Sequence, residues 1–396
     1  LALSACGGTK SDDTTKADET KTDAPAETAT DFKVGFIMLH DENSTYDLNF
    51  INAAKEACEE MGIEYVFKTG IPEGQEAYDA ACELADAGCN FVFADSFGHE
   101  DYIIEAAREF PDVQFCHATG TKAHTEGLDN FHNAFASIYE GRYLAGIAAG
   151  MKLNAMIKEG KFEAKDAKIG YVGAYPYAEV KSGYTAFFLG VRSVCKEATM
   201  EVQFTGSWYD EAKEKEAATL LIGRGCKLIS QHADSMGAPT ACESAGVPNV
   251  SYNGSTLDAC PNTFIVSSRI NWVPYMKYMI ECVRDNKAID TDWCKGINEG
   301  AVELTPINEK VAAPGTAEAI KAAEEQFKAG TLHVFDTSTF TVDGKALTSY
   351  MADVDTDEKF TPDTEVISNG YFHESEKRSA PYFDINIDGI TLLNEG

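Results

Sequence analysis

Short apolar runs alternate with amphipathic stretches along most of the chain. Residues 33–39 form a nearly unbroken apolar run, the pattern of a strand buried on both faces. From about Asp47 to Met61 the apolar positions 50, 51, 54, 58 and 61 recur at helical spacing, and Gly62 stops the helix. The alternation continues with a strand at 64–67, a helix at 75–87 ended by Gly88, and a strand at 90–94. A helix at 99–109, a strand at 113–116 and a helix through 139–146 follow. Four strand–helix units in succession predict a parallel sheet with helices on both faces. A polar segment at about 154–165 interrupts the pattern, which then restarts with strands at 168–172, 201–204, 227–230 and 249–252. Helices at 178–194, 210–223 and 237–245 separate them. A strand at 263–266 and a helix at 274–285 come next, and beyond Gly300 the chain reads as short strands plus one helix, 316–329. The fold class is therefore α/β, with two lobes, each a parallel sheet flanked by helices.

Composition narrows the function. The 396 residues hold 33 Lys+Arg against 64 Asp+Glu, a net charge of −31, which repels a nucleic-acid polymer and an anionic membrane face alike. The opening is distinctive. Leu3-Ser4-Ala5-Cys6 resembles a bacterial lipoprotein lipobox at the end of a signal peptide, and Cys6 would carry the lipid. Residues 7–31 are almost wholly small or charged, so they bury no core and read as a disordered tether. Lipid, tether and globular body describe a protein held on the extracytoplasmic face of the cell membrane through its lipid anchor alone. The other ten Cys form no C-x-x-C pair and no zinc-finger cluster, so neither metal nor cofactor is expected. Most sit in apolar contexts, as Cys58 in a helix and Cys116 in a strand, and read as buried thiols, with a disulfide or two left open.

In open parallel sheets a ligand lies beyond the carboxyl ends of the strands. Two such edges facing each other make a cleft that a hinge can close. The informative residues are those just after each strand: 40–47, 95–98, 117–120, 173–177, 207–210, 231–235 and 252–254. They are rich in aromatics, which offer faces for stacking, and in Asp and Asn, which bond the edge of a polar heterocycle. Sugars stack on aromatics as well, so this chemistry alone leaves both ligand classes open. An enzyme using His40, His117 and Asp234 is the rival class, but G-x-S-x-G, a P-loop and a G-x-G-x-x-G after the first strand are all missing. Asp234 is expected to accept hydrogen bonds from the ligand, with an N-cap of the following helix as its alternative role.

Several of these segments, taken in order, resemble the basic membrane protein family of PnrA-like substrate-binding lipoproteins. They are Asp95-Ser96-Phe97-Gly98, residues 111–115, His117-Ala118-Thr119-Gly120 and Tyr139-Glu140-Gly141-Arg142-Tyr143-Leu144-Ala145-Gly146. Lys168-Ile169-Gly170-Tyr171-Val172, Trp208-Tyr209-Asp210, Gln231-His232-Ala233-Asp234-Ser235 and Asn271-Trp272-Val273-Pro274-Tyr275 complete the set, over roughly residues 32–310. The resemblance implies a type I periplasmic-binding-protein fold with the ligand cleft between the lobes. It implies a monomer that hands a purine nucleoside or nucleobase to an ABC transporter permease. A binding protein for a sugar or signalling molecule is the alternative. The family's aromatic–Asn pair at the first helix could fall on Tyr46 with Asn49, or on Phe50. Its Asp after the fourth strand corresponds to Thr119, and the site of its ribose-reaching Lys holds Asn271-Trp272 after Arg269, which leaves room for a free nucleobase. The expected ligand-binding set is Tyr46, Asn49, Phe50, Ser96, Phe97, Thr119, Tyr175, Trp208, Asp234, Asn253 and Asn271. Tyr46, Phe97, Tyr175 and Trp208 are the stacking candidates. By the same resemblance, 32–150 and 263–290 form the N-terminal lobe, 151–262 and 291–396 the C-terminal lobe, with crossovers near 150–167, 254–262 and 286–300.

Overall fold

The first lobe is built on β1 (Lys33–Ile37), which is buried along all but its first residue. Helix α1 (Thr45–Met61) follows; the Ser44 side chain accepts from the Asp47 amide at its start, and Gly62 ends it at φ 66°. Only a residue free of a Cβ takes that left-handed turn cheaply. Then come β2 (Glu64–Lys68), α2 (Gln75–Asp86), β3 (Phe91–Ala94), α3 (Glu100–Glu109), β4 (Gln114–Ala118), the short α4 (Ala123–Glu126) and β5 (Phe131–Ala136). This computed structural model describes residues 32–354, 359 and 361–395. The proposed lipid site at Cys6 and the tether at 7–31 lie outside the described residues.

Helix α5 (Ile138–Lys158) leads to β6 (Lys168–Gly173), α6 (Ala178–Val194), β7 (Thr199–Phe204), α7 (Glu211–Gly223), β8 (Leu228–Gln231), α8 (Gly237–Ala245) and β9 (Asn249–Tyr252). After these come β10 (Phe264–Ile270), α9 (Val273–Arg284), β11 (Asp292–Lys295), β12 (Val302–Leu304) and α10 (Thr316–Lys328). The first sheet has the order β11-β5-β4-β3-β1-β2 and is parallel throughout. The second runs β12-β10-β9-β8-β6-β7 and then a final strand at Ile390–Leu392; only β12 is antiparallel to its neighbour. Parallel strands that share a sheet end on one edge, so each lobe presents all of its strand-end loops together.

Three expectations about lobe boundaries need correction. The strand expected to return to the first lobe, 263–266, runs over 264–270 and belongs to the second sheet, pairing with β9 and β12. The chain crosses back only after it, at Asn271–Trp272, so 254–262 is not a crossover. Helix α9 then buries Met276, Met279 and Ile280 in the first-lobe core beside Phe36 and Phe50. Residues 292–295, assigned to the C-terminal lobe, pair with β5 in the first sheet. Finally, α5 lies against α6 rather than in the first lobe, so the first crossover is at Ser137. Gly146 and Gly190 make that contact: a Cβ on Gly146 would sit 2.1 Å from the Phe187 carbonyl, and one on Gly190 2.0 Å from that of Tyr143.

Past α10 the chain packs on the second lobe. Phe335, Phe372, Phe383, Ile385 and Ile387 join its main core, where the rings of Phe335 and Phe383 stack at 4.3 Å. The ten described Cys are free thiols, and all but Cys82 and Cys294 are buried.

Candidate ligand-binding site

Both sheets end at one cavity of about 300 Å³, at the small end of the range for small-molecule sites. Loops and helix starts after β1, β3 and β4 bring His40, Tyr46, Asp47, Ser96, Phe97 and Thr119; those after β6, β7 and β8 bring Tyr177, Glu179, Trp208, His232 and Asp234. The two edges touch directly. The Thr45 amide donates to the Asp234 carbonyl at 3.1 Å, and Asn49 Nδ2 donates to Asn253 Oδ1 at 3.2 Å. The rings of Phe97 and Tyr177, one from each lobe, lie 5.4 Å apart, and both remain more than two-fifths exposed (41% and 43%).

The apolar part of the wall is aromatic. Tyr46 is fixed by its hydroxyl, which donates to the Asp95 carbonyl at 2.6 Å. Tyr177 stacks on Tyr175 behind it at 5.1 Å and 15°, and Trp208 meets Tyr175 edge-on at 5.0 Å. Each wall ring is thus held by a second ring or a hydrogen bond, which lowers the entropy lost when a flat ligand is gripped.

The polar part is acidic. Asp47 holds the His40 amide at 2.8 Å and faces the His40 ring at 3.4 Å. Burial pushes the Asp47 carboxyl up, but its contacts with His40, Asp95 and Ser44 outweigh this and hold it below its usual value. Neighbouring Asp95 goes the opposite way: burial and then the Asp47 charge raise it well above the carboxylate range, so that it keeps a proton. Asp234 is 5% exposed and raised well above the usual range, first by burial and then by Asp47, Glu214 and Glu179. No protein group among the described residues donates to its carboxyl, while its backbone is tied at both ends, N–H to the Trp208 carbonyl and C=O to Thr45. An N-cap role is ruled out by the geometry, since α8 starts after Met236 and it is Ser235 Oγ that accepts from the Gly237 amide. His232 Nε2 lies 2.9 Å from both oxygens of Glu179, and its Nδ1 is 3.4 Å from the Tyr171 hydroxyl. Arg142, fully buried behind this pair, bonds the Tyr171 hydroxyl and lies over the Tyr252 ring at 4.6 Å.

Of the residues expected from the sequence, Tyr46, Ser96, Phe97, Thr119, Trp208 and Asp234 line the cavity. Thr119 does so in the left-handed region, φ 68°, a strained conformation of the kind that clusters at functional sites. The others have different positions. Phe50 is fully buried and stacks on Trp272 at 4.5 Å in the first-lobe core. Asn49 and Asn253 bond each other across the lobes; Asn253 adopts φ 63°. Tyr175 supports Tyr177 from behind. Asn271 Oδ1 accepts from the Val273 amide and so starts α9, while Arg269 pairs with Glu303 and Asn49. His117, a candidate for the rival enzyme reading, is buried behind the cavity wall, bonds the Ser96 carbonyl at 2.5 Å and is held down to about 4 by burial, so it is a neutral structural residue. Sequence reasoning missed Asp47, Tyr177 and Glu179 as wall residues, although the first two stand in the strand-end loops. It gave no sign of Arg378, Ala380, Pro381 and Asp384, which complete the wall from the far C-terminal part.

Two α/β lobes with a small aromatic and acidic cavity between their strand ends define a solute-binding protein. A solute-binding protein from Aeropyrum pernix K1 shares the fold, with a TM-score of 0.66 over 77% of this chain and 93% of that one at 16% identity. Residues 36–329 match the model of the family described as ABC transporter substrate-binding protein PnrA-like, and the chain belongs to that family. A purine-binding protein of Brucella abortus is 32% identical over 302 residues, 74% of this chain and 81% of its own length. TsgA13 of Haloferax volcanii, provisionally named a glucose-binding protein of an ABC transporter, is 29% identical over 289 residues, 73% of this chain and 69% of its own. No helix among the described residues is long and apolar enough to cross a membrane.

Proposed function

We propose that the protein captures a purine nucleoside or nucleobase in the cleft and delivers it to the permease of an ABC importer. In this reading it is a monomer, held outside the cell membrane by lipid on Cys6 and a tether over residues 7–31. The observation that carries the reading is the Asp234 carboxyl, buried beside Tyr46, Phe97, Tyr177 and Trp208 with no donor among the described residues. A purine offers that wall what it lacks: a flat face for the rings and N–H donors for the acid. The cavity volume suits one base or one nucleoside, and the Brucella relative is named for purine binding. The carboxylates Asp47, Glu179 and Asp384 around it disfavour a phosphorylated ligand. A thermal-shift screen with purines, pyrimidines, their nucleosides and hexoses tests this. At one hundred times Kd a true ligand adds roughly 2.7 kcal/mol of stability. Stabilisation by adenine, guanine or their nucleosides supports the reading. Stabilisation by glucose alone, the ligand in the name of the Haloferax relative, replaces it.

A further inference from the structure

The family-matched region stops at residue 329, yet the chain continues, and part of that continuation reaches the cleft. Segment 374–384 is rooted in the second lobe. The buried Glu374 carboxylate accepts from the amides of Tyr382 and Phe383 at 2.8 and 3.0 Å, bending the chain into a closed loop. Phe383 sits in the second-lobe core, and Lys181 of α6 pairs with Asp384 at 2.6 Å. Within the loop the Arg378 guanidinium donates to the carbonyls of Asp353, Ala380 and Pro381, which fixes its shape. The loop's tip leaves the second lobe: the Ser379 amide donates to Asp292 Oδ2 at 3.0 Å. Asp292 begins β11, in the first sheet, and its side chain is only 4% exposed. Ala380 and Pro381, between the tip and the root, and Asp384, at the root, form one wall of the cavity.

We propose that segment 374–384 is a strap that belongs to one lobe, latches onto the other through Ser379 and Asp292, and sets how long the cleft retains its ligand. The inference rests on the purine reading only for the choice of probe. Because one wall of the cavity and one tie between the lobes are the same piece of chain, opening the cleft requires that this hydrogen bond break. The latch is an addition to the contacts at Thr45 and Asn49, on a part of the chain that the family-matched region does not include.

Dissociation of adenosine and of adenine is followed by stopped-flow fluorescence for the wild type, Asp292→Ala, Asp292→Asn and His124→Ala. Asn keeps an oxygen for the Ser379 amide. His124 also faces Asp292, at 3.5 Å, so its variant isolates that second contact. Asp292→Ala is expected to release ligand about tenfold faster, the effect of losing one hydrogen bond to a charged acceptor. Asp292→Asn and His124→Ala are expected to stay within about threefold of the wild type, since each keeps an acceptor for the amide. Ser379→Pro removes the donor from the opposite side and serves if Asp292→Ala does not fold. Hydrogen exchange over 374–384 in ligand-free protein gives a readout independent of ligand: fast exchange in Asp292→Ala or Ser379→Pro and slow exchange in the wild type support the latch. If the wild type binds no purine, the purine reading fails while the exchange result still decides the latch. Unchanged release and unchanged exchange in the folded Asp292→Ala and Ser379→Pro proteins would overturn it.

Discussion

Replacing Asp234 by Asn separates the charge of the buried acid from its shape. In the ligand-free protein, burial and then the charges of Asp47, Glu214 and Glu179 keep this carboxyl protonated well above the usual carboxylate range. A purine N–H or a ribose hydroxyl bonds best to the ionised form, so binding must expel the proton. The sign follows: purine affinity rises with pH, by up to about tenfold per unit, until the pKa of the free protein is passed, and then levels off. A hydrogen bond to a charged group contributes about 1.5–3 kcal/mol against about 0.5–1.5 for a neutral one, so Asp234→Asn, which keeps an acceptor oxygen, should lose about five- to twelvefold in affinity. The fold should survive, because no donor among the described residues relies on the carboxyl and the backbone ties to Trp208 and Thr45 remain. Titration calorimetry in two buffers of different ionisation enthalpy reads both quantities at once. The wild type should release close to one proton per purine at pH values below the free pKa, and the Asn variant none from this group. Unchanged affinity in a folded Asp234→Asn protein, or proton release that persists in it, would refute the assignment.

Phe97→Ala, Tyr177→Ala and Trp208→Ala should each weaken purine binding by about 1–3 kcal/mol, the usual worth of stacking a base on an aromatic ring; calorimetry showing wild-type affinity in all three would remove the aromatic wall from the site. Phe50→Ala should cost about 3–5 kcal/mol of stability, since the ring is fully buried against Trp272; denaturant melts check this, and lost affinity at unchanged stability would place Phe50 at the ligand after all. Glu214 is raised to about 7 by burial, so its folded form holds a proton that the unfolded chain releases above about 4.5. Stability therefore falls as pH rises from about 4.5 to 7, and Glu214→Gln, compared with the wild type across that window, should lack about 3 kcal/mol of this fall.

The period-3.6 and buried-strand patterns made most of the elements legible. Helices 178–194 and 237–245 and strand 249–252 have the bounds expected from the sequence. Strand β5 was hidden because His132 and Asn133 interrupt its apolar run, although all six residues are buried. Both find partners that the pattern cannot show: His132 bonds Gln114 through Nε2, and Asn133 Oδ1 accepts from the Ala123 amide. The two-residue strands past 350 are too short to carry any period. The lobe of β10 was illegible for a different reason. An apolar run reports burial, not the identity of its neighbour, and the Ser residues at 267 and 268 pair with β9 as readily as a first-lobe strand could have used them.

The site was legible to the extent that strand ends could be located. A residue directly after a parallel strand must face the carboxyl edge, so Ser96, Phe97, Thr119 and Asp234 followed from the sheet alone. Positions one turn into a helix did not follow. Asn49 and Phe50 lie on α1 along with Tyr46; Phe50 shares the Tyr46 face, its ring 4.9 Å from that of Tyr46, but stands one turn, about 6 Å, further along the axis, where that face meets the core instead of the cavity. Tyr175 and Tyr177 stand two apart in one loop and stack on the same side, so only the outer ring of the stack, Tyr177, meets the cavity, which the sequence pattern does not distinguish. Arg378 to Asp384 stand some 140 residues after the last strand-end loop that lines the cavity, a separation that no local pattern bridges. What brings them back is the burial of Phe335, Phe372 and Phe383 against the second-lobe core. Hydrophobic packing far from the cavity thus decides which polar residues line it, and the wall that lies beyond the family-matched region is the one that local sequence reasoning could not place.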